Sequence, residues 1–227
     1  MYAQLMNISR GREKTEFPPC SWSYVDDEGQ PRHIVYVYGT SCKTGRELPS
    51  AACGVSFGKI AENNLFYYLE DDTNPQHALR EVQDALQAEA AGLYLAFSEI
   101  LLRRTDGTKY EIRTNTRKCL ELLETWKNLS WENYVMDSYN GNKAADFIVK
   151  ALQIQDQLPA DAVTLKVIDP LLDEDGIHTA FTLAWDGIHE CRIRRKKPSP
   201  KKMWKDKFIT ETIDEKASLW GESLVIE

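Results

Sequence analysis

Few residues in this chain have the type and spacing for chemistry. Glu89 sits inside the apolar repeat Leu79, Val82, Leu86, Glu89, Leu93 and Ala96, whose three- and four-residue steps place it on the buried face of a helix. A carboxylate there ligates a hard cation such as magnesium, or it accepts hydrogen bonds that offset an otherwise costly burial. Asp146, Asp173 and Asp175 are the further carboxylates that could join it. Gly54-Val55-Ser56-Phe57-Gly58 has the glycine–serine spacing of a nucleophile elbow. That chemistry needs a strand, a strained turn at the serine and then a helix; here Ser56 lies within an expected strand and another strand follows. Gly39 to Gly45 resembles a phosphate loop, but the lysine–serine ending is absent and Arg46 follows. His33, His77, His178 and His189 show no metal-ligand spacing among themselves or with the cysteines.

The elements that would position these groups follow from periodicity. His33 to Tyr38, Ala52 to Phe57 and Asn64 to Leu69 read as strands at hairpin spacing, which favours antiparallel pairing. Asn74-Pro75 reads as the cap and first residue of the long helix that carries Glu89. Tyr110 to Thr114 is a fourth strand. Thr116 caps a helix carrying Cys119, Leu122, Leu123 and Trp126. Ala144 to Leu158 is amphipathic, and Val163, Leu165 and Val167 alternate with Thr164 and Lys166 in a fifth strand. A last helix runs from Ile177 to Asp186, with Gly187 as its stop. The fold class expected is α/β, a mixed five-stranded sheet whose first three strands are antiparallel, with helices packed on it.

The 227 residues suffice for one domain with extensions, and 42% are hydrophobic, enough for a core. The division expected is an arm over 1–32, a domain over 33–189, and a basic segment with a tail over 190–227. Between Arg192 and Lys207 lie nine Lys or Arg and one Asp, a local +8 within an overall −7, so the rest of the chain carries −15. An acidic body with a basic arm is not a uniformly basic nucleic-acid binder. Arg192, Arg194, Arg195, Lys196, Lys197, Lys201 and Lys202 form a nuclear import signal, a phosphate-contacting arm or a solvated linker. Five cysteines without CxxC spacing and a polar start fit a reducing intracellular compartment, and the basic run read as an import signal favours the nucleus over the cytoplasm. The most apolar run, Ala90 to Leu102, holds Ser98 and Glu99 and is too short to span a bilayer, so no membrane role is expected.

Several segments, in order, resemble the ribonuclease H family over roughly residues 33–187. Val35-Tyr36-Val37-Tyr38-Gly39-Thr40-Ser41 resembles its first strand and aspartate–glycine turn, and Ala52 to Gly58 its second strand. Gln87-Ala88-Glu89-Ala90-Ala91 resembles the glutamate motif of the first helix. Ile112-Arg113-Thr114-Asn115-Thr116 resembles the threonine–aspartate–serine motif that ends the fourth strand. Trp126 to Trp131 resembles the tryptophan-bearing segment, and Gly176 to Ala184 the segment of the last aspartate. The resemblance implies hydrolysis of a phosphodiester by two divalent ions held by converging carboxylates. It also places those carboxylates: the first aspartate falls on Tyr38, the glutamate on Glu89, the next aspartate on Asn115, the last on Phe181, and a loop histidine on Leu171. Asp146, after Gly141-Asn142-Lys143-Ala144-Ala145, is the other candidate for the last aspartate, or else simply opens a helix.

On the Phe181 placement Glu89 is the one acidic ligand left, and no metal or cofactor is expected. Its expected hydrogen-bond partners are Tyr38 or Asn115. The functional expectation is a catalytically inactive, protein-binding scaffold, within a nucleic-acid-processing assembly. The alternatives are nucleic-acid binding through the basic tail, and a divergent magnesium-dependent ribonuclease using Glu89, Asp146 and Asp173 or Asp175. Trp126 and Trp131 read as packing residues or as base-stacking platforms. The acidic residues around them (Glu121, Glu124, Glu132 and Asp137) disfavour phosphate contact.

Overall fold

A long central strand organises the sheet. In the computed structural model, which describes residues 22–43, 50–69, 84–104, 107–127, 143–169 and 174–196, β2 (Pro31–Cys42) pairs with three other strands. β3 (Ser50–Ser56) runs antiparallel beside it, with Tyr38 opposite Gly54 and Cys42 opposite Ser50. β4 (Leu65–Tyr68) extends that side antiparallel to β3. On the other side β5 (Lys109–Thr114) runs parallel to β2, with Val37 opposite Thr114, and β6 (Val163–Val167) runs parallel to β5. The order β4-β3-β2-β5-β6 is the mixed five-stranded sheet expected, with the first three strands of that path antiparallel. β-branched and aromatic residues fill its two faces because they fit a pleated, buried surface.

Alternation along β2 divides the core. Val35 and Val37 point to a face covered by α1 (Ala85–Arg103), α2 (Arg117–Lys127) and α3 (Lys143–Gln155), where Leu93, Phe97, Ile112, Leu123, Trp126 and Ile148 form the main cluster. Trp126 is a packing residue there. Ile34 and Tyr36 point to the opposite face, against Ile177 and Ala180 of α4 (Glu174–Lys196). α1 has the length and apolarity to cross a membrane, yet over half of that apolar window is buried inside the fold. The chain divides into two compact units, Met1–Ile193 and Arg194–Glu227. In the second, the described residues are the helical Arg194 to Lys196.

Three features depart from the expectations. First, residues 22–32, expected in the arm, contribute structure: β1 (Ser23–Val25) pairs antiparallel with Pro31–His33. The Tyr24 hydroxyl donates to Glu111 at 2.6 Å, and Glu111 is held from its other oxygen by Arg113, also at 2.6 Å. Second, α1 begins at Ala85 under a capping box: the Asp84 carboxylate accepts from the Gln87 N–H and the Gln87 side chain accepts from the Asp84 N–H. The cap expected at Asn74-Pro75 lies outside the described residues. Ser56 is buried in β3 with no turn at it, as expected. Third, the last helix does not stop at Gly187 but continues to Lys196. A Cβ at Gly187 would stand 2.8 Å from the Ala52 Cβ, so this glycine lets α4 lie close on β3.

Candidate functional site

Glu89 lies where α1 crosses β2. Its backbone rests on Gly39 so closely that any Cβ there would overlap it. The side chain is 1% exposed. Thr114, the last residue of β5, donates its hydroxyl to the Glu89 carboxylate, and the Thr116 N–H reaches the Thr114 hydroxyl at 3.4 Å. The Thr114 hydroxyl, and not Tyr38 or Asn115, is what holds Glu89. Burial raises its carboxyl from the ordinary 4.5 to about 7, against the opposing pull of nearby Thr116. The expected partners were the wrong neighbours because side-chain direction alternates. Tyr38 points to the α4 face while Glu89 enters from the α1 face.

On the α4 face the Tyr38 ring meets the Phe181 ring edge to face, with centroids 5.2 Å apart. Phe181 in turn lies 6.1 Å from His178 and 6.1 Å from Trp185, ring to ring. Burial, and the nearby Glu89 charge, raise the Tyr38 hydroxyl above its usual range. The two positions that the resemblance gave to aspartates are thus adjacent, and aromatic rings occupy both. Asn115 follows Thr114, one residue beyond the last β2–β5 register pair, which sets it beside Tyr38 at the sheet end. Its Oδ1 lies 3.5 Å from the Thr116 hydroxyl.

The remaining candidates are dispersed. Asp146 is exposed in the first turn of α3, on the Glu89 side of the sheet, and Asp175 is exposed near the start of α4, on the other side. Among the described residues no three His, Cys, Asp or Glu side chains group as a metal site. Arg192 is half-buried on α4, and the backbone of Arg194, Arg195 and Lys196 continues that helix. Trp131, Leu171, Asp173, Lys197, Lys201 and Lys202 lie outside the described residues. Sequence reasoning missed Thr114 as the partner of Glu89; the threonine before Asn115 was the available signal.

Strand order and pairing define the class: an RNase H-like α/β fold. No family model matches the chain, and no curated protein matches its sequence. Solved structures are similar at low identity. The PFV RNase H domain is 15% identical over 73% of this chain and 99% of its own, with a TM-score of 0.48. LC11-RNase H1 in complex with RNA/DNA hybrid is 13% identical over 71% and 99%, with a TM-score of 0.47. RNase H1 from Halobacterium salinarum is 12% identical over 69% and 98%, with a TM-score of 0.42. The fold assignment stands on the sheet itself.

Proposed function

We propose that this chain is an RNase H-like domain that works by binding, as a protein-docking scaffold within a nucleic-acid-processing assembly, without the two-metal hydrolysis that the resemblance implies. The observation that carries this reading is the Tyr38–Phe181 ring pair. Two magnesium ions require several charged oxygen ligands on one edge of the sheet. Under the residue placement given by the resemblance, the groups present are a phenol, a phenyl ring, an amide and one carboxylate already held by Thr114. That set does not fit the ions.

The test is calorimetric titration of magnesium and manganese into the protein, with Glu89→Gln as control, beside a cleavage assay on RNA/DNA hybrid. The expected result is no metal binding that depends on Glu89, and no cleavage. Metal-dependent cleavage that disappears in Glu89→Gln would overturn the reading and favour the divergent nuclease with Asp146.

A second reading, nucleic-acid binding through the basic segment, is favoured by the continuation of α4 to Lys196, which puts Arg192, Arg194, Arg195 and Lys196 on one helix. Its mark is affinity that falls steeply with added salt, because each phosphate contacted releases counterions.

A further inference from the structure

The exposed side of α4 carries two parallel rows. His178, Phe181 and Trp185 follow one another at steps of three and four residues, and Asp175, Thr182 and Asp186 follow at steps of seven and four. Residues so spaced stack along one line of a helix. The first row is a continuous run of rings that begins on Tyr38 and ends at Trp185, which is 38% exposed. Asp175, His178, Thr182 and Asp186 are all exposed. Among the described residues no cation lies over the Phe181 or Trp185 ring.

Extending the protein-docking reading, on which the inference rests, we propose that this face of α4 binds a basic peptide segment of a partner protein. Arginine side chains of that peptide lie over the Phe181 and Trp185 rings, with Asp175 and Asp186 alongside. The negative faces of the rings attract cations, Trp most strongly. Carboxylates one row away add Coulomb attraction and hydrogen-bond acceptors. The planar guanidinium stacks and donates at once, so arginine is preferred over lysine. Charge decides between occupants. Exposed Asp175 and Asp186 flank the rings, whereas the basic residues of α4 begin two turns beyond Trp185, at Arg192; the charge beside the rings is therefore negative, which repels phosphate and favours a cationic ligand. The large apolar side chains exposed on α4 among the described residues are Trp185 and Ile193, too little for the apolar interface of a stable dimer. α4 is a firm platform, since its buried side packs directly on β2 and β3.

The experiment is fluorescence anisotropy of the full chain with a labelled peptide of alternating Arg and Gly, at physiological salt. Trp185→Ala is expected to weaken binding about tenfold, as loss of a central aromatic contact does. The paired variant Asp175→Asn, Asp186→Asn is expected to weaken it several-fold, and a Lys–Gly peptide to bind more weakly than the Arg–Gly one. The paired variant Glu121→Gln, Glu124→Gln removes equal charge from exposed positions on α2, across the sheet, and is expected to leave affinity unchanged. Affinity unaltered by Trp185→Ala, or lowered equally by the α2 control, overturns the proposal. So does oligothymidine binding, or concentration-dependent self-association, that Trp185→Ala abolishes. Cleavage of RNA/DNA hybrid by the same samples would instead sink the non-catalytic reading, so the two failures are told apart.

Discussion

Tyr38 of β2 and Phe181 of α4 meet edge to face, with ring planes at 83° and centroids 5.2 Å apart. This geometry aims the positive edge of one ring at the negative face of the other, which adds attraction beyond the area both bury. The contact ties the central strand to the helix that covers it.

The pair therefore has a measurable coupling. In a double-mutant cycle with Tyr38→Leu and Phe181→Leu, followed by urea unfolding, the expected interaction is about 0.5–1.5 kcal/mol in favour of the natural pair. Additive single losses would mean that the rings are neighbours without mutual stabilisation.

Glu89 makes stability depend on pH in a stated direction. Its folded carboxyl titrates at about 7 and its unfolded one near 4.5. Below the unfolded value both states are protonated and the contribution to stability is fully present. As pH rises from there, the unfolded chain gives up this proton first, and stability falls until about pH 7, beyond which the loss is complete. A shift of this size corresponds to roughly 3 kcal/mol. Glu89→Gln keeps an oxygen to accept from Thr114 and does not titrate. It is expected to flatten the pH dependence of urea unfolding across that window. A slope that persists in the variant would assign it to another group.

Gly187 discriminates between a helix stop and a close approach. Gly187→Ala adds a methyl group 2.8 Å from the Ala52 Cβ, and overpacking of that kind costs roughly 1–3 kcal/mol. An alanine at a free helix position would instead gain about 1 kcal/mol over glycine. The expected outcome is a lower melting temperature for Gly187→Ala, recovered in part by Ala52→Gly. A raised melting temperature in the single variant would show that α4 does not press on β3 there.

Much of the sheet was legible in the sequence because its strands are runs of Val, Ile and Tyr that alternate or are wholly apolar, with turn residues between them. β1 was not: three residues beside Asp26, Asp27 and Gly29 carry no period, and their place depends on Glu111, a residue 87 positions away from Tyr24. The reach of α4 was obscured by Gly187, whose role is set by Ala52 on another element. At the site, Glu89 stood out as a carboxylate in an apolar stripe. Its partner did not, since a hydroxyl donor at a strand end has no spacing rule. Nor did periodicity reveal that Tyr38 and Glu89 approach the sheet end from opposite faces.

The arrangement around β2 also sets an order of assembly. Its contact with β3 joins residues a short hairpin apart, whereas its parallel contact with β5 joins Val37 to Thr114 across the whole of α1. Closing the larger loop costs more chain entropy before any contact rewards it. The β2–β3 hairpin is therefore the early scaffold and β5 the late arrival. Thr114 comes with β5, so the Glu89 carboxyl gains its hydrogen bond among the last steps of folding.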